Sequence, residues 1–407
     1  NPGDDIGGRA TALYGSDNEV RIGGAVNLPS GDGRLRTRIT ALYSRHDGRI
    51  KNRFPNAHDV DSLSAYGVRI KSDYDIAEQT LLRFGADFAK TERLLSLGER
   101  GTVADQGVNS FQPTDSRLKN GGANVSIIHE FDTITFKSIS AYRQTEGDSV
   151  GARPETILKD LSDYDIAQTT WTQEFQLRSD ESKSFSWNLG LFGLIGKTER
   201  ESSLDNLDFD VAEISLSEQE TKSFAVYGEG RYAFTDQIAI AIGGRYSFDN
   251  KSLDYRHVGD LTPVFGAPFA PAQIINLESD FSDFTPQARL EFRPNENLMA
   301  YVKASKGYKA GGFNSEFVTA DKVDYEKETL WNYEAGLKAG FMNGIGFLNL
   351  AVFHVDWDDQ QALIFENFQS FVASAGKSKV RGAELEVFII PGNGISVSGG
   401  LGYSDAI

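Results

Sequence analysis

Apolar and polar residues alternate with a two-residue period over most of the chain. Between 237 and 250, Ile238, Ile240, Ile242, Tyr246 and Phe248 fall on one face, while Arg245, Ser247 and Asp249 fall on the other. The same spacing opposes Leu82, Phe84, Ala86 and Phe88 to Arg83 and Asp87, and Leu35, Ile39, Ala41 and Tyr43 to Arg36, Arg38 and Thr40. This is the period of a β-strand whose two faces meet different surroundings. Read along the chain it predicts about seventeen strands, near 8–15, 18–28, 33–45, 63–72, 76–90, 122–131, 133–146, 168–179, 184–198, 220–234, 237–250, 282–293, 297–307, 328–341, 345–357, 378–390 and 394–404. Turns such as Pro29-Ser30-Gly31-Asp32, Thr235-Asp236, Met342-Asn343-Gly344 and Pro391-Gly392-Asn393-Gly394 join strands in pairs. Between pairs lie long polar segments at 46–62, 91–121, 147–167, 199–219, 251–281, 308–327 and 358–377.

Short turns at one end and long loops at the other, on strands longer than the usual five or six residues, predict an all-β fold of a particular kind. It is a transmembrane antiparallel β-barrel across 1–407, with long extracellular loops and short periplasmic turns. The face opposite the apolar one carries Arg83, Asp87, Lys137, Arg143, Glu174, Arg178, Glu229, Arg231, Arg289, Glu291, Glu334, Lys338, Glu384 and Glu386. A hydrated lumen accommodates these charges, whereas a dry core demands a partner for each. A soluble sheet with solvated faces is the competing reading, and it requires the apolar faces to be buried elsewhere. Tyr43, Tyr142, Tyr246, Trp331 and Trp357 lie toward strand ends, where an interfacial girdle is expected on the apolar face.

Composition narrows the function. With 41 glycines and 11% aromatic residues the chain is rich in strands and turns. Its formal charge of −17 argues against a nucleic-acid partner, which needs basic surface. No cysteine is present, so disulfides and zinc–thiolate sites are ruled out. No run of eighteen apolar residues exists to form a spanning helix, which does not bear on a barrel.

The stretch Tyr301 to Asn314, YVKASKGYKAGGFN, followed by ETLWNYEAGLK from Glu328 to Lys338, resembles the barrel of TonB-dependent outer-membrane receptors. LNLAVFHVDWDDQQ from Leu348 to Gln361 and AGKSKVRGAELE from Ala375 to Glu386 are similar to later strands of that family. The resemblance implies a receptor of a Gram-negative outer membrane, set in its lipid, that takes up a scarce, bulky nutrient. A ferric siderophore is the default cargo, with vitamin B12, haem and glycans as alternatives. It also implies a plug domain and a TonB energy-coupling complex acting on it. Neither plug nor coupling box is found here, and about seventeen strands fall short of the 22 of a plugged transporter barrel. The expectation is a barrel fragment lacking plug and last strands. A passive porin-like channel and a secreted all-β adhesin or carbohydrate-active protein are the alternatives.

Enzymatic motifs do not hold. Gly196-Lys197-Thr198 ends a strand and lacks the glycine of a phosphate-binding loop, because that position is Leu191. The histidines His46, His58, His129, His257 and His354 match no zinc motif, so neither a metal site nor a resident cofactor is expected. His354 and Asp356 are expected on the lumen wall, and the pair Glu384 and Glu386 as hydrated charges there. The candidate ligand-binding residues are Tyr308, Lys309, Phe313 and Asn314 in loop 308–327, with Asp358, Asp359, Phe365, Phe368 and Phe371 in loop 358–377. Aromatics offer contact area and lysine a charge for an anionic metal chelate. The same glycine-rich stretch also reads as a barrel-rim folding motif without any ligand.

Overall fold

A strand whose side chains alternate between two media can pair in only one register without turning its apolar set inside out. The computed structural model shows that register, and it describes residues 2–55, 58–95, 107–108, 112–152, 160–262, 266, 270–341, 344–366, 369–392 and 394–407. Seventeen strands form one antiparallel sheet. They are β1 (Gly7–Tyr14), β2 (Val20–Pro29), β3 (Leu35–His46), β4 (Ser62–Ala77), β5 (Thr80–Leu95), β6 (Thr114–Glu130), β7 (Ile134–Ala152), β8 (Asp160–Ser179) and β9 (Phe185–Asn206), continuing with β10 (Val211–Ala233), β11 (Ile238–Gly259), β12 (Gln273–Asn295), β13 (Leu298–Lys309), β14 (Glu328–Phe341), β15 (Gly346–Asp358), β16 (Ser378–Gly392) and β17 (Ile395–Ala406). Each pairs with its neighbours in sequence, and no pairing joins β17 to β1 among the described residues. Gly33 (φ 71°) and Gly344 (φ 84°) supply left-handed positions in two of the short turns. The Met342 and Asn343 positions of the second turn, and Asn393 of the last, lie outside the described residues.

The outward face is apolar and uncovered. Leu191, Val226, Tyr246 and Phe284 stand opposite one another across β9 to β12 and are 45, 45, 44 and 55% exposed. A folded chain in water does not leave such a belt open, and an adhesin or enzyme with a dry core is thereby excluded. On β11 the belt runs from Ile238 to Phe248, which at strand rise and barrel tilt is about 28 Å of height, close to a bilayer's apolar band. The inward face pairs its charges instead. Arg83 holds Asp73 through two bonds of 2.8 Å, Arg143 holds Asp87, and Tyr301 donates to Glu334 at 2.6 Å. Glu291, only 2% exposed, accepts from Arg289 at 2.8 Å, Arg231 at 3.0 Å and Arg293 at 3.2 Å.

Two expectations change. The strands run on past the membrane, so segments 147–167, 199–219 and 251–281 are largely strand among the described residues, and the second of them keeps only 207–210 as a turn. The 23 residues of β10 rise about 58 Å when tilted, roughly twice the belt. Beyond the belt the outward face meets water while the inward face meets water or docked loops, so the outward apolar pattern ends, but the ladder hydrogen bonds continue. The second change concerns β15. His354 and Asp356 share the outward face with Leu350 and Val352, and His354 stacks on Tyr333, so they are not on the lumen wall. Trp357, expected in the outward girdle, has the opposite parity and faces inward. The cause is an inversion of the pattern near the outer end, where the outside meets water and the inside meets docked loops. β11 does the same, with Ile242 and Tyr246 outward but Leu253 and Tyr255 inward and 1% exposed.

Candidate functional site

The inverted inward residues are the floor of a small hydrophobic core inside the outer mouth. Leu253 and Tyr255 of the wall pack with Phe313, Val318 and Val323 of segment 310–327 and with Phe371 of segment 359–377. Segment 310–327 folds as a two-residue ladder, Gly312–Phe313 against Asp324–Tyr325, with a short 3₁₀ turn at Ala320–Lys322. Segment 359–377 carries a hairpin, Gln361–Glu366 against Gln369–Ser374. The expected candidate Phe368 lies outside the described residues.

The stretch Tyr301 to Asn314 and the residues that follow it account for much of this docking. The β12–β13 ladder ends at Gln287 opposite Ser305, next to Pro286, which has no N–H to continue it. Side chains close the gap: Lys306 and Lys327 both bind Asp283, and the Tyr308 hydroxyl donates to Asp249 at 3.1 Å. Burial first, and then Asp249, push the Tyr308 hydroxyl well above its ordinary pKa. A Cβ on Gly311 would sit 2.3 Å from the Tyr325 carbonyl and 2.4 Å from the Phe281 ring, so only glycine passes there. Lys251 donates to the Gly311 carbonyl at 2.7 Å, and burial holds its pKa below the usual lysine range.

Asn314 clasps the two segments together. Its amide donates to the Lys322 and Val372 carbonyls, and its carbonyl accepts from the Val372 N–H, each at 2.8 Å. Phe313 is 6% exposed in the core. Of the four motif residues Lys309 is the one with an exposed side chain. In the second segment Phe371 is core, and Lys377 pairs with Asp358 at 2.9 Å.

A second seam lies beneath Phe317, whose φ of 49° is left-handed. Its N–H donates to Ser215 Oγ at 3.1 Å; that oxygen is 3.0 Å from His257 Nδ1, and His257 Nε2 is 3.4 Å from Glu213. Serine, histidine and carboxylate stand in the order of a hydrolytic relay, yet all three are 1% exposed or less. No substrate reaches them, and they act as an anchor for the loop.

Between the anchored loops and the wall lies a cavity of about 670 Å³. Asn314 and Phe313 form part of its lining, joined by Arg200, Gln219, Glu316 and the hairpin's Leu363 and Phe365. Leu363 and Phe365 are 74 and 72% exposed, presenting apolar surface to the opening. Arg200 pairs with Glu316 at 3.2 Å and lies over the Tyr164 ring, and Gln219 donates to Ser315 at 2.9 Å. Tyr308 and Lys309 do not line it. Sequence reasoning missed Arg200, Glu316 and Leu363. The alternation in QALIFE from Gln361 marks Leu363 with Phe365, but nothing local marks Arg200.

Residues 25–407 match the family model described as TonB dependent receptor-like, beta-barrel. Among solved structures, the ferric yersiniabactin uptake receptor FyuA from Yersinia pestis is similar, with a TM-score of 0.84 at 19% identity over 99% of this chain and 62% of that one. The siderophore receptor PiuA from Acinetobacter baumannii gives 0.79 at 16% identity, over 99% and 64%. The copper transporter OprC gives 0.73 at 12% identity, over 100% and 62%. The chain thus spans a little under two thirds of these relatives.

Proposed function

Since the chain belongs to the TonB dependent receptor-like β-barrel family, a family of outer-membrane receptors and not of enzymes, we propose that it forms the wall of an energy-coupled uptake receptor whose cargo is a ferric siderophore. In this reading the chelate settles in the outer mouth, and a TonB complex acts on a plug segment outside these residues to admit it. The observation that carries the reading is the mouth cavity, where exposed Leu363 and Phe365 face Arg200 and amide and hydroxyl side chains across space for a drug-sized ligand. The named cargoes of FyuA and PiuA support it. Within the motif, Phe313 and Asn314 shape the floor under the ligand, while Tyr308 and Lys309 belong to the rim.

The test is equilibrium binding by the receptor in mild detergent across ferric siderophores, haem, cobalamin and oligosaccharides. Saturable binding of a ferric chelate, weakened about tenfold or more by Phe365→Ala, is the expected result. Binding of haem, cobalamin or a glycan alone would replace the cargo. Unsaturable passage of small solutes through reconstituted protein, without any binding, would favour a passive channel.

A further inference from the structure

The charges around the mouth bear on which kind of ferric chelate it would take, an inference that rests on the siderophore reading above. Arg200 and Glu316 are the charged side chains that line the cavity, and they neutralise each other at 3.2 Å. The remaining lining is amide, hydroxyl, aromatic and aliphatic, including Gln219, Ser217, Tyr325, Leu363 and Phe365. The covering segments reinforce this. Segment 310–327 carries Glu316, Asp321, Asp324 and Glu326 against Lys322 and Lys327, and segment 359–377 carries Asp359 and Glu366 against Lys377. Both are net acidic, on a chain whose formal charge is −17.

Charge arithmetic separates the ligands. Ferric ion is trivalent. Three hydroxamates, each contributing one negative charge, give a neutral core, whereas three catecholates, each contributing two, leave a trianion. A trianion entering this mouth meets acidic loops and no unpaired cation in the cavity lining among the described residues, and like-charge juxtaposition disfavours it. A neutral chelate loses nothing to that field and finds hydrogen-bonding side chains beside exposed Leu363 and Phe365.

We propose that the mouth selects a charge-neutral ferric chelate of the tris-hydroxamate type over an anionic tris-catecholate, because the one arginine that lines its cavity among the described residues is already neutralised by Glu316. The experiment compares the affinity of the receptor in detergent for one ferric tris-hydroxamate and one ferric tris-catecholate, in the wild type and in Glu316→Gln. The neutral complex should bind about tenfold or more tighter to the wild type, and Glu316→Gln, which releases the Arg200 charge, should move the ratio toward the trianion by about tenfold. Both shifts should shrink as salt is raised. The Arg200–Glu316 pair is partly exposed, and an unchanged heat transition of the variant shows that the barrel is intact. Equal or tighter binding of the tris-catecholate to the wild type, or a ratio unmoved by Glu316→Gln, overturns the inference and leaves the siderophore reading standing. Failure of both ferric complexes to bind takes both down.

Discussion

Asn314 is a single side chain on which the closure of the mouth depends. Replacing it by alanine removes the bonds to Lys322 O, Val372 O and Val372 N, all 2.8 Å long. At about 0.5–1.5 kcal/mol net for each bond, and more where a backbone group is left without a partner, the loss to loop docking is about 2–4 kcal/mol. That corresponds to a rise of roughly 30- to 1000-fold in the undocked population. Hydrogen–deuterium exchange on the protein in detergent reads it directly. Amides of 310–327 and 361–374 should exchange faster by about that factor, while those of β10 and β11 near the belt should not change. Asn314→Asp keeps the acceptor for Val372 N–H but turns a carboxylate toward two carbonyls, so it should loosen the segments at least as much. Unchanged protection of either segment in Asn314→Ala would refute the clasp, because the core of Phe313, Val318 and Phe371 would then suffice alone.

Other consequences are as direct. Ile242 is 58% exposed on the outward belt, so Ile242→Lys should cost about 2–4 kcal/mol in a bilayer, seen as a lower refolding midpoint in lipid vesicles; no loss would place that face in water. Glu291→Gln leaves Arg231, Arg289 and Arg293 crowded without their carboxylate and should destabilise the barrel by about 1–3 kcal/mol after allowing for the partial hydration of the arginines, read as a lower melting temperature in detergent. Burial lowers the pKa of Lys251 from its ordinary 10.5, so the undocked state binds the proton more tightly and docking should strengthen as pH rises through the window between the lowered value and 10.5. A spin label at position 321 should become less mobile over that window, and Lys251→Met should abolish the change; a slope of opposite sign would contradict the burial argument.

The barrel was legible because its causes are local. A period of two places Ile238, Ile240 and Ile242 outward whatever the rest of the chain does, and the pairing of each strand with its sequence neighbour follows from short turns such as Thr235-Asp236. The same local signal failed on β15, where an unbroken strand exchanges its apolar face between Val352 and Phe353, as β11 does beyond Phe248, where docked loops cover its inner side. The motif that marks a late strand also contains the staple of Lys306 and Tyr308 and the clasp of Asn314, but their partners lie elsewhere in the chain. Asn314 meets Val372 across 58 positions, Phe317 meets Ser215 across 102, and Arg200 meets Glu316 across 116. Sequence by itself determined the faces within the membrane belt, the strand order and the net charge, since these depend on neighbouring residues and on sums. Only the tertiary structure decided which charges are neutralised and which aromatics stay exposed, since that depends on loops folding back onto a wall built far away in the chain.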